Sequence, residues 1–301
     1  MKKTFPCIII LFYIFVNNTS AQSPNSKADI FPKGTTIYEN IPYANDTLKK
    51  HQLDIYLPPV KKLSYPLIVW IHGGAWMSND KHADMDYMAN TVKLFMDKGY
   101  ALASIDYRHS TTAPFPAQIQ DCNQAIEFLY ENAAQYNIDA SRIALIGFSA
   151  GGHLASLLAL SNNNHIKAFY PRGSTPKFNI SVVFDFYGPS DLLTLKGIDN
   201  KDPKNPVTLL LGAMATERPD LAKKASPIYY VDKGDPPFLI VQGEKDQSVN
   251  PEQSVSLSDK LKKVGVKNEL IIVPGAPHYG VMFDVEPIRV SILDFLNEYM
   301  K

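Results

Sequence analysis

Six short apolar runs constrain this chain more than any other feature. They are Leu67–Ile71 (LIVWI), Ala101–Ile105, Ile143–Ile146 (IALI), Val182–Phe186, Phe238–Val241 (FLIV) and Leu270–Val273 (LIIV), each followed by glycine or turn residues. The runs are continuous rather than alternating, which suits strands buried on both faces of a parallel sheet. Between them the apolar spacing becomes helical. Met88, Val92, Phe95 and Met96 fall on one face, and Ile119, Cys122, Ile126, Leu129 and Tyr130 on another. Ile288, Ile292, Phe295, Leu296 and Tyr299 form a closing helix. Alternating strands and helices predict one α/β domain over 22–301, with a mostly parallel, doubly wound sheet.

One stretch breaks this rhythm. Asp191 to Asp235 is rich in Pro, Lys, Asp and Gly and holds a helical piece around Thr208 to Met214. It is expected to be a small lid insertion over the site rather than a plain surface connection. Asn162 to Phe178 reads as a shorter polar loop.

The start of the chain has a different character. Lys2 and Lys3 precede ten apolar residues, Cys7 to Val16, and Thr19-Ser20-Ala21 offers the small residues a signal peptidase reads. Ten residues are half of the roughly 20 needed to span a bilayer, so no stable membrane anchor is expected. The expectation is a signal peptide over 1–21 and export to the periplasm or beyond. The full chain balances 30 Lys+Arg against 30 Asp+Glu. Loss of Lys2 and Lys3 leaves 28 against 30, a net charge of −2. Neither state offers the basic excess that nucleic acid would require. Cys7 would leave with the leader, and Cys122 would remain as a single thiol on an apolar helix face. No cluster has metal-ligand spacing and no phosphate loop follows the first strand, so no metal or cofactor is expected.

The chemistry gathers where strands end. Gly147-Phe148-Ser149-Ala150-Gly151 follows IALI directly, and Gly152-His153-Leu154 opens an apolar helical run. A G-x-S-x-G in this strand–turn–helix context is a nucleophile elbow, a turn so sharp that small residues must flank the serine. His72-Gly73-Gly74-Ala75-Trp76 stands at the end of LIVWI. Glycines there let backbone N–H groups face a site with no Cβ in the way, as an oxyanion hole requires. His72 is expected to brace this loop, and Trp76 to wall the substrate pocket or to be core.

HGGAW followed by GFSAGG resembles the α/β-hydrolase serine esterases of the hormone-sensitive-lipase and carboxylesterase type. Asp106-Tyr107-Arg108, Pro114-Phe115-Pro116-Ala117 and Asp121 are similar to a further stretch of that family. The resemblance runs from about Leu53 to the C-terminus. It implies a serine esterase whose acid and base lie in the last third. The family often has a third glycine where this chain has Ala75; the backbone donor survives, but the methyl group narrows the approach.

The partners of Ser149 can also be sought from the residues. A nucleophilic serine needs a base and a carboxylate to orient that base, in the chain order Ser, Asp or Glu, His. After Ser149 the histidines are His153, His165 and His278. His153 lies on the elbow helix and cannot turn back, and His165 sits in a polar loop. His278, in PGAPHYG after LIIV, is the expected base. Beyond FLIV, Gln242-Gly243-Glu244-Lys245-Asp246 offers two carboxylates. The family's G-x-x-D pattern maps onto Gly243 to Asp246, which makes Asp246 the expected acid, with Glu244 and Asp191 as alternatives. Gly74, Ala75 and Ala150 are the expected oxyanion donors. Asp106 and Asp121 are expected to pair with Arg108 or cap backbone groups. Tyr187, Tyr229, Tyr230 and Tyr279 either line a sugar or aromatic site or pack the core.

The short H-G-G-x-W form most resembles bacterial carbohydrate esterases that remove acetyl or feruloyl groups. The predicted function is therefore an exported serine carboxylic-ester hydrolase acting on a small-molecule or oligosaccharide ester. The alternatives are an amide hydrolase, such as a kynurenine formamidase or a peptidase-like enzyme, and a non-catalytic binding protein on the same fold.

Overall fold

A computed structural model describes residues 30–171, 177–196 and 202–301. The expected signal peptide lies outside them. Among the described residues are eight strands: β1 (Thr36–Pro42), β2 (Gln52–Leu57), β3 (Tyr65–Ile71), β4 (Ala101–Ile105), β5 (Ile138–Phe148), β6 (Val182–Phe186), β7 (Phe238–Gly243) and β8 (Asn268–Val273). They form one sheet in the order β1-β2-β4-β3-β5-β6-β7-β8. β1 and β2 run antiparallel, and every pairing from β4 through β8 is parallel. Seven α-helices lying wholly among the described residues accompany them: α1 (Ala89–Asp97), α2 (Ala117–Glu131), α3 (Ala150–Asn162), α4 (Pro206–Leu211), α5 (Pro219–Ala225), α6 (Glu252–Val264) and α7 (Glu286–Tyr299).

All six apolar runs lie within strands β3 to β8. β3 is buried along its whole length, as a central parallel strand must be. β8 departs from the expectation of burial on both faces: it is the last strand of the sheet, and Ile272 is exposed. The apolar patterning did not reveal the β1–β2 hairpin. β1 is exposed on the opposite edge, and the run in β2 is broken by Asp54. That carboxylate is buried because Asn40 N–H, Tyr56 O–H and His82 Nε2 all meet it between 2.7 and 3.1 Å.

Two apolar cores flank the sheet, one on each face. α3 is buried on every side, which is why HLASLLAL lacks a polar stripe. The predicted faces of α1 and α7 are buried, with Tyr299 half-buried beside Phe295. On α2, Ile119, Cys122, Ile126 and Leu129 are buried, but Tyr130 is exposed. One residue beyond Leu129 it has rotated off the apolar face.

The irregular stretch between β6 and β7 carries α4 and α5. Asn205 caps α4 by accepting from Val207 and Thr208 N–H, Pro206 starts it, and Gly212 at φ 68° ends it. The helix is therefore set at 206–211 rather than 208–214, because a left-handed glycine stops it. In the 162–178 loop Phe169 and Tyr170 are buried on a 3-10 turn, so that segment is anchored rather than purely polar.

Candidate active site

The parallel strands end together at one edge. Ile71 pairs with both Ile105 and Gly147, Gly147 with Asp185, and Gly243 with Val273. In open α/β sheets ligands bind beyond the carboxyl ends of the strands. The loops leaving these ends surround a pocket of about 790 Å³.

Ser149 occupies the turn between β5 and α3 at φ 53° and ψ −116°, a region L-residues rarely adopt. The turn is held by Ser149 N–H donating to Phe186 O at 2.8 Å. Its flanking glycines are required by packing. A Cβ on Gly147 would come within 2.2 Å of Gly151 O, and one on Gly151 within 2.0 Å of Ile71 O. The elbow is pressed against β3, the strand that delivers the HGG turn.

His278 Nε2 lies 2.8 Å from Ser149 Oγ, and its Nδ1 lies 2.7 Å from Asp246 Oδ2. The three predicted side chains thus form one hydrogen-bonded chain. With Nδ1–H donated to the carboxylate, Nε2 is left as the acceptor for the serine hydroxyl. Asp246 is itself held on several sides. Its Oδ1 accepts Ser248 and Val249 N–H at 2.8 and 2.9 Å, and its Oδ2 also accepts Gln242 Nε2 at 2.9 Å. Burial alone would raise its pKa. The hydrogen bond and charge of His278, with the two N–H groups, outweigh burial and hold it below the ordinary value. Gln242 is in turn fixed by Ser254 O–H on its Oε1 at 2.8 Å. Sequence reasoning gave Gln242 no role, since a buried glutamine at a strand end carries no motif.

The alternatives for the acid lie elsewhere. Glu244 is exposed and accepts Gly275 N–H at 2.7 Å. Asp191 accepts Leu193 N–H at 3.0 Å within its own turn. His165 is exposed. His153 is buried and neutral, its pKa pushed down to about 4 by burial.

Gly74, Ala75 and Ala150 all line the pocket that holds Ser149 and His278. Among the described residues their N–H groups have no acceptor in the protein. Gly74 sits at φ 119°, and a Cβ there would meet Ser78 O at 2.4 Å. Ala75, where a third glycine is common, follows at φ 53°. Met77 and Ser78 N–H both donate to Gly74 O at 3.0 Å, which closes the turn. His72 braces it as expected. Burial pushes its pKa down to about 3, so it is neutral, and its Nδ1 lies 2.6 Å from Gly73 O.

Trp76 is both core and wall. It is 3% exposed within the apolar core, yet one edge lines the pocket. Its indole N–H donates to His153 Nδ1 at 3.1 Å, and His153 Nε2 lies 2.7 Å from Ala225 O at the end of α5. Tyr187 and Tyr279 line the pocket; Tyr229 and Tyr230 do not. Asp121 grips Arg108 through both carboxylate oxygens. Asp106 binds Lys50 at 2.7 Å and Lys81 N–H at 3.2 Å instead of Arg108. Leu195, Asp202, Lys204, Asn205 and Val207 bring the segment between β6 and β7 onto the pocket rim.

Among the described residues no three His, Cys, Asp or Glu side chains converge as a metal site would need, and no helix is long and apolar enough to cross a membrane.

The BD-FAE family model matches residues 53–261. Esterase LipQ of Mycobacterium tuberculosis is 32% identical over 231 residues, covering 75% of this chain and 53% of the relative. This chain thus spans about half the length of the sequence relatives it matches. A truncated carbohydrate esterase from gut microbiota superposes with a TM-score of 0.82 at 34% identity, covering 93% of this chain and 99% of the other. A bifunctional GH43-CE protein from Bacteroides eggerthii does so with 0.79 at 35% identity, covering 88% of this chain and 35% of the other.

Proposed function

This chain belongs to the BD-FAE family and has the α/β-hydrolase fold, and on that premise we propose that it is a serine carboxylic-ester hydrolase. The observation that carries this reading is the unbroken chain from Ser149 Oγ through His278 to Asp246, at 2.8 and 2.7 Å. Ser149 attacks the ester carbonyl while His278 Nε2 takes the hydroxyl proton. Asp246 stabilises the imidazolium that results. Negative charge on the carbonyl oxygen is met by the N–H groups of Ala150, Gly74 and Ala75, of which one alone is commonly worth about 10²–10³ in rate. His278 then protonates the leaving alcohol. Water, deprotonated by the same imidazole, releases the acid from the acyl-enzyme.

We further propose a carbohydrate ester as the substrate, with an acetyl or feruloyl group as the acyl part. One similar solved structure is named as a carbohydrate esterase, and another as a bifunctional GH43-CE protein. A pocket of about 790 Å³ has room for more than an acetyl group. Its rim, with Ser78, Asn79, Asp202 and Lys204, offers hydrogen-bonding partners to a hydroxylated alcohol. Leu195, Asp202, Lys204 and Val207, from the 191–235 stretch expected to form a lid, cover the site from the rim in this reading. Export through removal of residues 1–21 fits a polymeric substrate outside the cell membrane, and rests on Lys2, Lys3, the apolar run and Thr19-Ser20-Ala21.

The test is a panel of acetylated xylan oligomers, feruloylated arabinose, aryl esters and N-formylkynurenine. The carbohydrate esters are expected to give the highest kcat/KM. A preference for N-formylkynurenine makes the enzyme an amide hydrolase, and no turnover of any compound makes it a binding protein.

A further inference from the structure

Asp84 belongs to none of the motifs above, yet it touches the turn from which the oxyanion donors come. It lies on the loop between the HGG turn and α1, half-buried and at φ 71°. Its Oδ2 accepts Gly73 N–H at 2.7 Å, and its Oδ1 accepts Tyr87 O–H at 2.6 Å. Tyr87 and Tyr187 oxygens are 2.9 Å apart. The Tyr87 hydrogen is committed to the carboxylate, so Tyr187 donates its own to Tyr87. Tyr187 is buried, and its ring stands edge-on to the His278 imidazole with centroids 5.0 Å apart. One chain of hydrogen bonds therefore runs from the HGG turn to the flank of the base.

The need for such a chain follows from the turn itself. Two successive glycines carry no Cβ to restrict their dihedrals, and a peptide that rotates there turns an N–H away from the site. Gly73 O is pinned by His72 Nδ1 at 2.6 Å, which sets the peptide bearing Gly74 N–H. Asp84 pins the peptide on the other side of Gly73 through its N–H. We propose that Asp84 is a positioning residue of the ester hydrolysis, holding the HGG turn with its donors facing the substrate and, through Tyr87 and Tyr187, fixing the wall behind His278. This rests on the esterase reading above. Two donors converge on the two oxygens of Asp84, and an asparagine has only one oxygen to offer. Asp84→Asn therefore keeps the shape and loses one of the two bonds.

The experiment uses the full chain and p-nitrophenyl acetate. Sites are counted by complete reaction with diethyl p-nitrophenyl phosphate, so kcat is expressed per labelled serine and unfolded protein does not contribute. Asp84→Asn is expected to lower kcat about tenfold to a hundredfold, below the loss of an oxyanion donor itself, with KM within about twofold. Tyr87→Phe is expected to lower kcat about threefold to tenfold, and adding it to Asp84→Asn to cost little more, since both cut one chain. The proposal is overturned if kcat per site stays within about twofold of wild type, if KM moves instead, or if the two losses multiply. Should Asp84→Asn fail to fold, Tyr87→Phe, which deletes one oxygen, decides alone by the same criteria. A wild-type protein that neither turns over the ester nor takes the label overturns the esterase reading itself, and this proposal with it.

Discussion

Replacing Asp246 with asparagine separates the charge of the acid from its shape. The two side chains are nearly isosteric, and the asparagine oxygen can still accept the Ser248 and Val249 N–H groups that bind Oδ1 at 2.8 and 2.9 Å. Its NH₂ then occupies the place of Oδ2, 2.7 Å from His278 Nδ1 and 2.9 Å from Gln242 Nε2. Two penalties follow. Facing an N–H donor, the imidazole carries its proton on Nε2 and no longer accepts from Ser149 Oγ. The imidazolium formed in the transition state also loses its counter-charge. At a charge separation of about 4 Å and an effective dielectric near 20, that loss is about 4 kcal/mol, or about three decades in rate. With the wrong tautomer added, kcat is expected to fall about 10³- to 10⁴-fold. The donor-on-donor contact with Gln242 is expected to cost a further 1–3 kcal/mol or so of stability, visible as a lower urea midpoint. The assay is kcat for p-nitrophenyl acetate per site counted with an organophosphate. Glu244→Gln serves as the matched control, because Glu244 is exposed and only accepts Gly275 N–H. If Asp246→Asn kept kcat within about tenfold of wild type, or if Glu244→Gln lost more, the electrostatic assignment of Asp246 would be wrong.

Three further outcomes are expected. Ser149→Ala should abolish turnover of short aryl esters with an unchanged thermal midpoint; residual activity in the purified variant would reject Ser149 as nucleophile. Gly151→Ala places a methyl group 2.0 Å from Ile71 O. Backbone must move, so a loss of at least about 1–3 kcal/mol is expected in urea unfolding, against which near-wild-type stability would count. The contribution of His51 to stability should also fall as pH rises from about 6.5 to 9, above the range in which the depressed His72 and His153 act in the opposite direction. His51 is buried, which opposes its protonation, but the hydrogen bonds and charges of Asp121 and Asp46 outweigh burial and raise its pKa above 6.5. A raised histidine contributes its full stabilisation below its ordinary value and loses it as pH rises through the folded one. Asp185 and Asp235, raised by burial to about 6 and about 7, act in the same direction, because ionising them favours the unfolded chain. His51→Gln should lower the urea midpoint most below about pH 6.5 and flatten the profile above it.

The amino-acid sequence by itself determined the frame and pointed to the residues assigned to the proposed reaction. Strands buried on both faces are written as unbroken apolar runs, so the central residues of β3 to β7 were legible, though β3, β5 and β7 extend beyond the runs. The elbow at Ser149 was legible because a turn that sharp admits glycine alone at Gly147 and Gly151, where backbone oxygens approach to about 2 Å. Chain order then pointed to His278, 129 residues beyond Ser149, and the family resemblance favoured Asp246 over Glu244 and Asp191. Each of these signals is local: a period, a turn, a residue at a strand end. Tertiary structure alone decided the groups that hold the site in place. Asp84 meets Gly73 N–H, Gln242 bridges Ser254 and Asp246, and Trp76 reaches His153, which binds Ala225 O. None of these pairings recurs with a helical or strand period. Asp54 even interrupts the apolar run of β2, because its burial is balanced by partners on β1 and on the loop before α1. The stretch between β6 and β7 reads as a lid over the site, but which of its residues reach the pocket rim, among them Leu195, Asp202, Lys204 and Val207, is set by packing. Local propensity sets where strands and sharp turns occur, whereas burial of a polar group depends on partners brought in from elsewhere in the chain.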